Sequence, residues 1–186
     1  DVRADLGRSN VLILSAGTGV LVTRQEEGKH GQDLLTNTIH GDLDLELDYM
    51  MAKGANSGIY LQGRYEIQLL DSWSVINPKA GDNGGIYERW NEDKPDGQKG
   101  YEGHPPRQNA SRAPGLWQRI KISFQAPRFN ATGQKLENAR ILRVELNGVS
   151  IQENVELSGP TRGAIQNDEV AAGPLRLQGD HGTVAF

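Results

Sequence analysis

The sequence predicts an all-β protein, a sandwich or barrel of about ten short antiparallel strands. Three observations carry this. Apolar residues alternate with polar ones over residues 42–51 and again over 59–69, the spacing of a strand with one buried face; on a helix the same residues would scatter around the surface. The chain contains 23 glycines, many of them in turn-forming contexts, and Asn147-Gly148 is a strong hairpin signal because both residues tolerate positive φ. No stretch repeats apolar residues at helical spacing, and there is no internal repeat, heptad or low-complexity tract.

In chain order, residues 11–15 and 20–23 read as two strands around Gly17-Thr18-Gly19, and residues 26–32 as a polar loop. Leu34, Leu35 and Thr36 begin another strand. Residues 42–51 form the clearest one, with Leu43, Leu45, Leu47, Tyr49 and Met51 on one side. The opposite side carries Asp42, Asp44, Glu46 and Asp48, expected to be a solvated sheet face; a calcium site there is the sharper alternative. Residues 72–115 are long and irregular, rich in Pro and aromatics, and read as loops walling a cleft, with residues 84–90 as a strand crossing them. Residues 116–124 alternate again. Residues 126–139 read as a loop. Leu142, Val144 and Leu146 are expected to point inward from the strand before Asn147-Gly148, and residues 149–157 form the return strand. Residues 158–172 read as loop, followed by two last strands at Leu175 and Leu177 and at Val184 and Phe186.

The 186 residues suffice for one domain, expected to span 1–186. The net charge of −4 comes with no basic run, which argues against nucleic acid as a partner. Cysteine is absent, so disulfides and thiolate metal sites are excluded. No signal peptide and no apolar run of ~18 residues is present, so membrane insertion is not expected. The chain stops inside what reads as a strand and is expected to be a domain cut from a longer protein, to which other domains would be fused.

Residues 56–71 gather the densest set of chemically able side chains. Ile59 and Leu61, then Tyr65, Ile67 and Leu69 after a turn at Gly63-Arg64, face a core. Tyr60, Gln62, Arg64, Glu66 and Gln68 share the polar face, with Asp71 at the strand end.

Several motifs occur in one order: Asn56-Ser57-Gly58-Ile59-Tyr60, Tyr65-Glu66-Ile67-Gln68-Leu69-Leu70-Asp71, Pro114-Gly115-Leu116-Trp117-Gln118-Arg119-Ile120, Leu146-Asn147-Gly148-Val149, and Gly173-Pro174-Leu175-Arg176-Leu177-Gln178 with His181-Gly182. In this the chain resembles the 3-keto-disaccharide hydrolase domain family over nearly its whole length. The resemblance implies a jelly-roll β-sandwich of the concanavalin A-like type, two curved antiparallel sheets with a carbohydrate cleft on the concave side. It also implies a secreted or periplasmic bacterial protein acting as a glycosyl hydrolase.

Glucanases of this fold place Glu, then Asp two residues on, then Glu three further, on one strand face. Here the same spacing holds Glu66, Gln68 and Asp71. Gln68 cannot ionise, which argues against an ordinary retaining displacement by paired carboxylates. The family's chemistry suggests another route, in which a ketone at C3 of the sugar acidifies the C2 proton, a base removes it, and the enolate expels the C1 substituent. Glu66 or Asp71 is the candidate base, and His181, Arg64 or a bound divalent metal ion the candidate oxyanion stabiliser. Gln68 and Gln178 are candidate partners of sugar hydroxyls, with Tyr60 and Glu88 also assigned to substrate binding. Trp73, Tyr87, Trp90 and Trp117 are candidate stacking platforms. His30, His40 and His104 show no zinc-type spacing. The alternative is a non-catalytic carbohydrate-binding module of the same fold.

Overall fold

The computed structural model describes residues 1–24 and 31–186; residues 26–30 of the loop expected over 26–32, His30 included, lie outside the described residues. Two antiparallel sheets pack face to face, and among the described residues there is no helix. The strands are β1 (Val2–Ala4), β2 (Leu12–Leu14), β3 (Leu34–His40), β4 (Leu43–Met51), β5 (Asn56–Leu61), β6 (Tyr65–Leu70), β7 (Arg89–Trp90), β8 (Gly100–Tyr101), β9 (Gln118–Gln125), β10 (Arg128–Phe129), β11 (Lys135–Glu137), β12 (Ala139–Leu146), β13 (Val149–Leu157), β14 (Gly173–Leu177) and β15 (Val184–Ala185). One sheet runs β13-β12-β9-β4-β15 and the other β3-β14-β5-β6.

The core lies between the sheets. Tyr49 and Met51 of β4, Ile120, Ile122 and Phe124 of β9, and Ile141, Val144 and Leu146 of β12 meet Ile59, Leu61, Tyr65, Ile67 and Leu69 from β5 and β6. The Tyr65 and Phe124 rings stand 5.6 Å apart across the interface. Each such aliphatic or aromatic side chain stabilises the fold by about 1.5–3 kcal/mol through burial.

Three local expectations are corrected. Residues 11–15 do not pair with residues 20–23: β2 pairs with β1, and Val22 instead bridges to Ala185 of β15. The driving contact is a small second core of Val2, Met50 and Ala185, against which Leu12 and Val22 pack. Leu142 points outward, 42% exposed, while Ile141 is buried. A register shift between Ile141 and Arg143 makes Leu142 the extra residue of a bulge, which inverts the strand's parity at that point. Residues 126–139 contain the short hairpin β10-β11 rather than loop alone. The Asn147-Gly148 turn is as expected, with φ of 54° and 84°.

Residues 84–90, expected as a strand crossing the loops of residues 72–115, pair along the edge of the four-stranded sheet and widen it. Gln68 N donates to Gly85 O at 2.8 Å, Gly84 N to Gln68 O at 2.8 Å, and Tyr87 N to Glu66 O at 3.1 Å, while Ile86 and His104 exchange backbone bonds of 2.9 and 3.0 Å. A buried network pins the start of this region: Tyr49 donates to Asn83 at 2.9 Å, and Asn83 donates to Ser111 at 3.0 Å.

Candidate active site

The register of the β5-β6 hairpin puts Tyr60 opposite Glu66 and Gly58 opposite Gln68, and β14 lies beside β5 with Arg176 opposite Tyr60. Alternation therefore places Tyr60, Glu66, Gln68, Arg176 and Gln178 on the sheet face away from the core. A polar strand face normally meets solvent, and the hairpin was expected to be half-buried. All five of these residues are buried instead.

The cover is a strap from the loop before β14. Thr161 N donates to Arg64 O at 3.0 Å and Ile165 N to Gly63 O at 2.9 Å. Between these anchors Gly163 has a φ of 80°, and a Cβ there would lie 2.8 Å from the Tyr60 hydroxyl oxygen. Arg176 Nη1 donates to Gly163 O at 2.6 Å, tying the strap to β14. What remains is a cavity of about 240 Å³ lined by Asn56, Tyr60, Glu66, Gln68, Tyr87, Arg162, Gly163, Gln178 and His181. This is smaller than pockets for drug-sized ligands, about 300–1,000 Å³, and suits a single ring.

Glu66 is the centre of the site. Its side chain crosses to the neighbouring strand and rests over Gly58, where a Cβ would lie only 2.2 Å from Glu66 Oε1. Glycine in a strand interior commonly marks such a close approach. The residue is 2% exposed. Burial pushes its carboxyl up to about 8, against a hydrogen bond from Tyr60 and the charge of Arg176, which pull it down. Glu66 thus carries its proton at neutral pH. Burial likewise raises the Tyr60 hydroxyl well above the usual phenol range, with the neighbouring Glu66 adding to the effect. The Arg176 guanidinium lies 4.4 Å from the Tyr60 ring and 2.6 Å from the Asp33 carboxylate.

His181 sits at the cavity rim, its Nδ1 2.5 Å from Asp180 Oδ1. A carboxylate acceptor there holds the proton on Nδ1 and leaves Nε2 as a lone pair. Gln68 donates to Asn56 Oδ1 at 2.7 Å, so its amide orientation is fixed. Gln178 Oε1 is buried and has no hydrogen-bond partner among the described residues, an acceptor that a ligand hydroxyl would satisfy.

The structure brings Glu66, His181, Tyr60, Gln68, Tyr87 and Gln178 together in this cavity; Asp71, Arg64, Trp73, Glu88, Trp90 and Trp117 are not in its lining. Asp71 accepts from Gly54 N at 2.8 Å and from Trp73 N at 3.4 Å, the pattern of a turn-capping residue. Arg64 is buried against Asp168, with its Nη2 2.5 Å from Oδ1, and does not line the cavity. Trp73 is 56% exposed away from it. The Glu88 carboxylate packs against Gly100 of β8, and only its backbone carbonyl reaches the strap, accepting from Arg162 N at 2.8 Å.

Arg162, Gly163 and Asn56 were missed as site residues. The strap reads as featureless loop in the sequence; Gly58 within a strand was the one local signal that something closes on this face. Among the described residues no group of three or more His, Asp or Glu side chains could hold a metal ion. His40 is structural: its Nε2 accepts from Gln62 N at 3.0 Å. The acidic residues of β4 are matched by bases, Asp48 by Arg119 at 2.7 Å and Glu46 by Lys121 at 3.1 Å, which is a solvated sheet face rather than a calcium site.

Three solved structures from Parabacteroides distasonis, each described as a candidate glycosyl hydrolase, are similar. One shares 28% identity at a TM-score of 0.68, covering 92% of this chain and 70% of its own. A second shares 19% at 0.55 over 92% and 84%, and a third 16% at 0.52 over 89% and 77%; these two speak to the fold alone. No curated protein sequence gives a significant match. No helix among the described residues is long and apolar enough to cross a membrane. The sequence profile of the 3-keto-disaccharide hydrolase family, described as a 3-keto-alpha-glucoside-1,2-lyase-like domain, matches residues 6–186, and the chain belongs to that family.

Proposed function

We propose that this chain breaks the glycosidic bond of a 3-keto-glycoside by elimination across C1 and C2, with water adding to the product. The observation that carries this reading is the buried Glu66 carboxyl, protonated near neutral pH, in one cavity with the Asp180-braced His181. Family membership and the candidate glycosyl hydrolases of similar structure support a carbohydrate substrate. On this reading the chain is one jelly-roll domain of the concanavalin A-like type that works in the periplasm or outside the cell.

The roles follow from protonation. A carboxyl with a pKa of about 8 is a poor resting base at neutral pH and a good proton donor. Glu66 therefore protonates the departing C1 oxygen. His181 Nε2 removes the C2 proton, and Asp180 stabilises the imidazolium that forms. Tyr60 holds the Glu66 carboxyl, while Gln68, Gln178 and Asn56 take sugar hydroxyls. A non-catalytic binding module would have no use for a carboxyl raised this far.

The test compares a 3-keto-glucoside with its unoxidised parent. The wild type is expected to cleave only the keto sugar, and Glu66→Gln and His181→Ala to lose about 10²–10⁴-fold in kcat. Cleavage of both sugars alike, or full turnover by Glu66→Gln, overturns the reading.

A further inference from the structure

Elimination through an enolate needs a third group besides a base and an acid. When the C2 proton leaves, its electron pair forms the C2=C3 bond and the ketone oxygen takes a full negative charge. That charge then returns to re-form C3=O as C1=C2 forms, the C1–O bond breaks, and the acid's proton goes to the departing oxygen. The intermediate is best held by a fixed positive donor at the C3 oxygen. Resting on the reading above, we infer that Arg162 is that donor and that Trp90 is its positioning residue.

Four observations point to Arg162. It is the one permanent cation among the residues lining the cavity. Its guanidinium is in no ion pair among the described residues, whereas Arg64 and Arg176, from the same sheet face, are paired with Asp168 and Asp33. It shares a hydrogen bond with the Tyr87 hydroxyl, itself part of the cavity lining, so its charge, rather than every one of its donors, is left for a ligand. The guanidinium carbon lies 3.7 Å from the centre of the Trp90 ring, a stack that orients the plane without consuming in-plane N–H groups. The ring is itself fixed, because Trp90 Nε1 donates to Glu92 Oε1 at 2.7 Å. The backbone is held as well, by the 2.8 Å bond from Arg162 N to Glu88 O and by Gly163 closing on Tyr60. An exposed arginine held at both ends beside a cavity is pre-organised rather than merely solvated.

The placement suits the division of labour. The strap brings Arg162 over Tyr60, toward the hairpin end of β5, where it is anchored to Gly63 and Arg64. The turn carrying His181 approaches the other end, where Gly182 packs against Asn56. The Glu66 carboxyl lies between, over Gly58. Base, acid and oxyanion donor thus come from three separate segments along one strand.

The experiment isolates the enolate. A 3-keto-1,5-anhydroglucitol has no leaving group, so exchange of its C2 proton in D2O, followed by NMR, reports enolate formation alone. The wild type is expected to accelerate exchange, and Arg162→Gln to slow it about 10²–10³-fold. Trp90→Leu is expected to cost about tenfold in exchange rate and Trp90→Phe to recover most of that, with the ligand's dissociation constant unchanged and thermal melts confirming folding. Arg162→Lys, which keeps the charge, is expected to exchange faster than Arg162→Gln. Exchange by Arg162→Gln at the wild-type rate overturns the inference. Exchange that Arg162→Gln slows, without cleavage of the 3-keto-glucoside, supports Arg162 while overturning elimination, and neither exchange nor cleavage by the wild type overturns both.

Discussion

On the outer face of the five-stranded sheet, Asp44, Glu46 and Asp48 of β4 stand opposite Ser123, Lys121 and Arg119 of β9. On the outer face of the four-stranded sheet, Gly58 and Tyr60 of β5 stand opposite Gln68 and Glu66 of β6. Both faces are polar and both arise from the same period of two. The first is complete in itself: each acid meets a hydroxyl or a cation directly across the ladder, with Asp48 and Arg119 joined by two bonds of 2.7 and 2.8 Å. Water covers the rest, and the bond from Arg119 holds the Asp48 carboxyl below its usual range. The second is roofed by the strap at residues 161–165, and Glu66 moves the opposite way. An acidic residue on a strand is thus a surface ion in one place and a buried carboxyl that keeps its proton in the other, and the difference lies in what covers it.

The largest contrast is expected in catalysis. Glu66→Gln should abolish turnover of a 3-keto-glucoside, while Glu46→Gln should leave kcat/KM at the wild-type value; a loss of activity in Glu46→Gln would break the comparison.

Next in size is a pH effect on stability. Glu66 has an ordinary carboxyl value of 4.5 and about 8 when folded, so between those pH values the folded chain holds a proton that the unfolded chain has released. The stability this confers is fully present below about pH 4.5 and is lost as pH rises toward 8, amounting to a few kcal/mol as an order of magnitude. Glu66→Gln mimics the protonated side chain. Denaturant melts from pH 5 to 9 are expected to show it more stable than the wild type at pH 9 and with a flatter profile; parallel profiles would show that Glu66 does not carry the shift.

Gly58→Ala tests the bed under the carboxyl. The added Cβ would fall 2.2 Å from Oε1, so Glu66 must swing away or the strands must part. Activity is expected to drop about 10–100-fold with a stability cost of about 1–3 kcal/mol, read from kinetics and urea melts on the same preparation. Wild-type kinetics would sharpen the comparison by showing that the carboxyl acts from more than one position. The smallest effect is expected at Asp48→Asn, where the exposed pair with Arg119 should change neither activity nor the melting midpoint measurably.

Much of the fold was legible because its signals are local. The alternation over residues 42–51 and 59–69, the Asn147-Gly148 turn and the inward Ile120, Ile122 and Phe124 each depend on neighbours a few positions away, and the strands formed where those patterns lie. The bulge at Leu142 was not legible, since one inserted residue inverts parity without altering composition. At the site, the period of two put Tyr60, Glu66 and Gln68 on one face, while Gln178 and His181 were candidates from elsewhere in the chain that only the fold brought to it. The sequence also named Asp71, whose carboxylate is spent on Gly54 and Trp73 in a turn.

By itself, then, the sequence determined which side chains share a sheet face, because that follows from a period of two along one strand. Only the tertiary structure decided that the face is roofed, that Glu66 keeps its proton and that Arg162 joins it. Those outcomes depend on contacts such as Thr161 with Arg64, 97 positions apart. Burial sets the cost of a charge, and burial is a property of whatever distant segment comes to lie on top.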